Sequence, residues 1–268
     1  KFILLFRKGS KIDLKQLAQY KDKEINELYV YKDDYSAMTK KQVFIAGMII
    51  DSDKVDEQAK LSIMNRVASG IYDGFTQMGL GGEAFDSAKV ISESVVTLVQ
   101  QKTSINALLE GLNKVSEEIF RHSMGVSFIS PMIGVALGWT RSETLEKLSL
   151  GGLLHDIGKR ELSPEILKKS RGELTYDEVK EYENHPHRSV QLLSTIEGLP
   201  ADITAIAYEH HENSIGQGFP KRLWDMKLNP LSRVVALANT FCELTMGSAT
   251  YPQKKSAEDA LNHIETIL

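Results

Sequence analysis

The sequence predicts a mainly α-helical protein, a helical bundle preceded by a small α/β unit and a helical connector. Three observations carry this prediction. Apolar residues recur at helical spacing from Thr39 onward. Pro164, Pro186, Pro200, Pro220 and Pro230 punctuate the second half, where helices start or loops intervene. Short β-rich runs stand near the N-terminus, bounded by turn residues.

Residues 1–38 read as the α/β unit. Phe2–Phe6 is strand-like, Lys8-Gly9-Ser10 is turn chemistry, and Asp13–Leu28 places Leu14, Leu17, Ile25 and Leu28 at helix-compatible spacings. Leu28–Tyr31 reads as a second strand, closed by Lys32-Asp33-Asp34. Two strands and a helix are too little for an independent core, so the unit is expected to lean on its neighbour or to have lost a strand. The chain does not begin with Met and is expected to lack its native start. Residues 39–112 read as the connector, with Ile63, Val67 and Ile71 on one helix face. Gly79, Gly81 and Gly82 break it, and a helix follows from about Phe85 to Gln101 with Val95, Leu98 and Val99 as core. These helices either connect or dimerise. In residues 113–268, Thr140–Glu143 reads as a capping box opening the helix that ends at His155-Asp156. Trp139 and Trp224 are expected in the core, Trp224 alternatively at a ligand mouth. The chain ends at Leu268 inside an apparent helix, so a C-terminal piece is expected beyond it.

Composition excludes several classes. With 268 residues, 42% hydrophobic and 25% charged, the chain is neither disordered nor collagenous. Lys and Arg number 32 against 36 Asp and Glu, so no basic field draws it to DNA, RNA or a membrane surface. The apolar run Val43–Ile50 falls short of the ~18 residues of a membrane helix, and Lys1–Phe6 is too short for a signal-peptide core. One cysteine, Cys242, makes no internal disulfide and fits a cytoplasmic protein.

The chemistry lies in the histidines. There are 7, and His122, His155, His185, His210 and His211 sit on successive helical segments. His155 and Asp156 follow the apolar run Leu148–Leu154. An acid and an imidazole at a buried helix end need partners, because an unpaired buried charge is costly. A divalent cation supplies one, and imidazole with carboxylate suits Zn, Fe or Mn. Adjacent ligands fan apart by ~100° on a helix, which suits a two-metal centre with Asp156 bridging. Glu118 and His122, four apart, share a face and can converge on it. His187 and His263 have no motif partners and read as solvent-facing or locally hydrogen-bonded.

Leu154-His155-Asp156-Ile157-Gly158-Lys159, then His185-Pro186, His210-His211-Glu212 and Gly216-Gln217-Gly218-Phe219-Pro220, resemble the HD-GYP family, a branch of the HD-domain metal-dependent phosphohydrolases. The resemblance covers residues 113–268. It implies a helical HD fold and hydrolysis of a phosphodiester in cyclic di-GMP by a metal-activated water. The centre would be binuclear or trinuclear and hold iron, with manganese or zinc as alternatives. Carried over by position, the metal ligands are His122, His155, Asp156, His185, His210 and His211, with Asn239 and Glu118 as additional positions. Asp156 and Lys159 are the catalytic pair, and Lys159, Gly216, Gly218, Phe219 and Pro220 bind substrate. Glu212 is expected to orient the imidazoles.

The chain departs from the family pattern at four places. Phe219 stands for the motif tyrosine. Asn239 stands where the family has a metal-binding aspartate, and Cys242 at the next acidic position; Cys242 reads as a buried hydrophobe. The arginine-containing stretch is replaced around Ser248–Pro252, with Gln253, Lys254 and Lys255 as substitutes. Lysine is only a point charge where arginine is a fork. Two other functions therefore stay open: a weak or inactive homologue that senses a nucleotide or docks a signalling protein, and a phosphohydrolase of another nucleotide. A homodimer through the 39–112 helices is the remaining partner expectation.

Overall fold

A computed structural model describes residues 15, 19, 20, 23 and 31–267, apart from residues 51, 53, 79–80, 102–103, 113–117, 225–226 and 248–251. The chain divides into two units, residues 1–35 and 36–268. Lys15, Gln19 and Tyr20 are helical, where a helix was expected. The expected strand Phe2–Phe6 and most of Leu28–Tyr31 lie outside the described residues, and Tyr31 itself is not in a strand.

The second unit is helical. From residue 32 onward the elements are α1 (Lys32–Ile50), which begins before the boundary, α2 (Glu57–Met78), α3 (Gly82–Gln100), α4 (Ile105–Leu112), α5 (Glu118–Ala136) and α6 (Ser142–Leu154). A 3-10 turn at Ile157–Glu161, the short α7 (Pro164–Leu167) and a second 3-10 turn at Arg171–Glu173 follow. Then come α8 (Tyr176–Glu183), α9 (His185–Leu193), α10 (Ala201–Glu209), α11 (Pro230–Met246) and α12 (Ala257–Ile267). Among the described residues there is no strand, only one isolated bridge between Ile215 and Trp224. The expected break falls between Met78 and Gly82, and the helix expected from Phe85 starts at Gly82. Pro164, Pro186 and Pro230 stand in first turns, where a missing N–H costs nothing.

The bundle is built around α6. Leu145, Leu148, Ser149, Leu150, Gly151, Gly152, Leu153 and Leu154 are all buried, the signature of a helix surrounded on every side. It packs against α5, α3, α10 and α11. Its entry differs from expectation: Arg141 is the N-cap and no side chain caps the helix, so Thr140 opens no capping box. Packing on four neighbours holds this helix, and the tenths to one or so kcal/mol a cap supplies are dispensable there. A capping box does occur twice further on, with Ser170 and Glu173 and with Thr175 and Glu178. These fix the loop that carries Arg171 and the start of α8. Trp139 packs on the core. Trp224 does not: it is 63% exposed, with its indole against Gly216.

Candidate metal centre

The last carbonyls of a helix have no partner within it. Three histidines answer them here by one device. His155 follows α6, His185 follows α8 by two residues and His210 follows α10. Each turns Nδ1 onto the carbonyl three residues earlier: His155 to Gly152 at 2.7 Å, His185 to Tyr182 at 2.6 Å and His210 to Ala207 at 3.1 Å. A ring whose Nδ1–H is donated presents an Nε2 lone pair, and all three Nε2 atoms face Asp156. His155 lies 3.3 Å from Oδ2, and His185 and His210 lie 3.2 and 3.3 Å from Oδ1. Backbone carbonyls, not a carboxylate, orient these rings. Glu212 does other work: it is buried, and accepts the backbone amides of Lys221 and Leu223 at 2.6 and 2.9 Å, tying down the 211–224 loop.

His122 reaches in from α5. Its Nε2 lies 3.3 Å from His155 Nε2 and 3.7 Å from Asp156 Oδ2, and donates to Asn239 Oδ1 on α11 at 2.8 Å. His211 sits beside His210, with ring centroids 4.2 Å apart, and stacks on Phe219 at 4.4 Å. The ligand atoms form two groups: His122, His155 and Asp156, and Asp156, His185, His210 and His211. Within each they lie no more than 4.8 Å apart, and Asp156 belongs to both.

This arrangement fits divalent cations. Lone pairs and a carboxylate face one another in a pocket where His155, Asp156, His185 and His210 are buried, which is repulsive unless positive charge enters. Protons are a poor answer. Burial lowers His122 and His210 to about 3 and also lowers His185 and His211, against the opposing pull of Asp156. Burial would raise the Asp156 carboxyl, but His155 and Lys159 hold it well below the usual range. Lys159 Nζ, 2.7 Å from Oδ2, supplies one charge, and the same carboxylate keeps that ammonium protonated despite burial. Asp156 Oδ1 and His211 Nε2 remain buried without a hydrogen-bond partner, as metal donors would.

In chelator-treated protein these histidines set an acid limit. Their folded pKa values lie below the ordinary 6.5. Below that pH the unfolded chain takes up protons that the folded chain refuses, so stability falls as pH drops from about 6.5 toward 3. Melting temperatures across this range should decline steadily; a flat profile would contradict the burial of these rings as neutral bases.

A cavity of about 240 Å³ opens onto the centre, with His122, Asp156 and Lys159 among its lining residues. Glu118 lies at its exposed rim and is not within either ligand group. Gly216 turns the loop with φ 69°, and half-buried Pro220 follows Phe219. Gly218 is a close approach: a Cβ there would meet the His211 carbonyl oxygen at 2.3 Å. His187 is exposed and His263 half-buried. Ser248–Tyr251 lie outside the described residues, and Gln253, Lys254 and Lys255 do not line the cavity. Cys242 is fully buried against Gly125, and burial pushes its thiol up, so it is a core residue and no thiolate ligand.

Glu243, Tyr182 and Arg171 are among the cavity residues that the sequence analysis does not single out. Glu243 is four residues after Asn239, hence on the same helix face, and that spacing is the signal. Burial raises its carboxyl, while Lys159, His155 and Arg171 oppose the shift. Tyr182 and Arg171 also line the cavity, from segments without motif spacing to mark them.

Comparison with known proteins agrees with this geometry. The family profile described as HD domain matches residues 92–266. A cyclic di-GMP phosphodiesterase of Thermotoga maritima is 30% identical over 165 residues, 60% of this chain and 44% of that protein. A 3′3′-cGAMP-specific phosphodiesterase of Vibrio cholerae is 30% identical over 165 residues, 61% of this chain and 37% of that one. The chain thus spans less than half the length of these curated relatives. Bd1817, a HDG"Y"P protein from Bdellovibrio bacteriovorus, shares the fold with a TM-score of 0.74 at 22% identity, covering 100% of this chain and 86% of that one. On the profile match and on the motifs at 154–159 and 216–220, the chain belongs to the HD domain family, in its HD-GYP branch, with Phe219 in place of the motif tyrosine.

Proposed function

We propose that this chain is a metal-dependent phosphodiesterase of cyclic dinucleotides, with cyclic di-GMP as first substrate. The observation that carries the reading is the convergence of imidazole nitrogens on Asp156 at the end of a cavity that also holds Lys159. His122 and His155 would hold one cation, His185, His210 and His211 the other, and Asp156 both. Cations held there supply an activated water and charge neutralisation for in-line displacement at phosphorus. Lys159 places a buried ammonium beside the reacting phosphoryl group and stabilises its charge. Iron is the metal we favour, and the cytoplasm the compartment, for a chain in whose described residues no helix is long and apolar enough to cross a membrane. Purified protein loaded anaerobically with iron or manganese should hydrolyse cyclic di-GMP. Failure to do so with two cations per chain would reject the activity.

A nucleotide-sensing role is the second reading, favoured by Asn239. Its oxygen lies 2.8 Å from His122 Nε2 but brings no charge to a cation held there. The His122 side of the centre should be the weaker. Asn239→Asp adds a charge at that position and is expected to tighten the more weakly held cation by about tenfold, as ligand charge does at metal sites. Metal titration would measure it, and an unchanged weaker constant would exclude Asn239 from the centre.

A further inference from the structure

One cavity is lined by Asp156, His122 and Lys159 and also by Lys168, Lys169 and Arg171, the last three on the loop between α7 and α8. Arg171 is held there from two directions. Its guanidinium lies over the Phe219 ring, 5.2 Å from the centroid, and it pairs with Glu183 at the end of α8. The loop beneath it is fixed by the capping box of Ser170 and Glu173, with Glu173 accepting the Ser170 amide at 2.8 Å. The arginine side chain nevertheless stays 43% exposed. A guanidinium held in place yet open to a cavity is prepared for an oxyanion, because less freedom is lost when its fork engages.

A cyclic dinucleotide carries two phosphodiesters on one ring. Only one can sit at the reacting end at a time, so the other needs a second anchor. We propose that Arg171, seated on Phe219, grips the non-reacting phosphate of a cyclic dinucleotide, and so selects two-phosphate substrates over simple diesters. This assignment rests on the phosphodiesterase reading. It also gives Phe219 a role that needs no hydroxyl: its ring carries Arg171 on one side and stacks on His211 on the other.

The test compares cyclic di-GMP with bis(p-nitrophenyl) phosphate, which has one phosphate. In metal-loaded protein, Arg171→Ala should raise KM for cyclic di-GMP about tenfold or more, the scale of one lost charge-assisted fork. The kcat and metal content should be unchanged, and KM for bis(p-nitrophenyl) phosphate should move less than about twofold. Arg171→Lys should fall between, keeping the charge and losing the fork. Equal shifts for both substrates, no shift for either, or loss of metal in Arg171→Ala would overturn the assignment. If the wild type hydrolyses neither substrate, calorimetric binding of cyclic di-GMP decides. Binding weakened about tenfold in Arg171→Ala sustains the anchor without the catalytic reading. Undiminished binding in the variant rejects the anchor alone, and no binding by the wild type rejects both.

Discussion

Replacing Asp156 with alanine is expected to empty the centre of both cations and to lower phosphodiester turnover by on the order of a thousandfold, about 4 kcal/mol of barrier. The magnitude follows from its shared position. Every other ligand belongs to one donor group, whereas Asp156 belongs to both. His122→Ala should therefore remove one cation and spare the other. A second loss accompanies the first. Lys159 is buried, and its ammonium has Asp156 Oδ2 at 2.7 Å as counter-charge. Breaking a buried pair from one side costs roughly 3–5 kcal/mol. Metal analysis and calorimetry of the variant check both effects, and a protein that kept two cations would refute the bridging geometry.

Gly158→Ala is expected to be nearly as damaging, for a reason unrelated to chemistry. A Cβ there would lie 2.3 Å from the His185 carbonyl oxygen and 2.5 Å from the Ser189 nitrogen. Both are backbone atoms, so no side chain can swing away. The 3-10 turn and α9 would have to separate, breaking the bond from Gly158 N–H to Ser189 Oγ at 2.9 Å and the one from Ser189 Oγ to the His155 carbonyl at 2.9 Å. Overpacking costs about 1–3 kcal/mol and each buried hydrogen bond about 1. A loss of roughly 3–5 kcal/mol should lower the melting temperature by about 6–20 °C at the usual 2–4 °C per kcal/mol for a domain of this size. Since His155 and His185 flank this contact, metal affinity should fall with stability. An alanine variant that melts with the wild type would show that the two segments do not meet so closely.

Much of the centre was legible because its ligands are types that burial penalises. Histidine and aspartate after an apolar helix announce a partner, and their order along the chain carries the family pattern. What was not legible depended on where helices end and which way loops return. The 3.6-residue period puts both Cys242 and Glu243 on the side of Asn239, and reading position by position along a motif picked out only the first. Glu212 looked like a ring-orienting acid, yet its oxygens are taken by amides nine and eleven residues ahead, and loop closure of that kind has no sequence period. The imidazoles are instead oriented by backbone carbonyls, which every residue carries and no sequence displays. Trp224 was expected inside on hydrophobicity alone; the bridge from Ile215 to Trp224 shapes the loop while leaving its indole exposed. The capping box expected at Thr140 failed because tertiary packing on α6 outweighs a local cap.

Cys242 has a consequence of a different kind. The chain's one thiol is sealed in the bundle beside Gly125, with burial pushing its pKa upward. Thiolates, not thiols, react with peroxides and disulfides. Oxidation through this thiol is therefore closed while the fold is intact, which leaves the exposed thioethers of Met38 and Met48 and the valence of a bound metal as places where redox conditions can act on the chain.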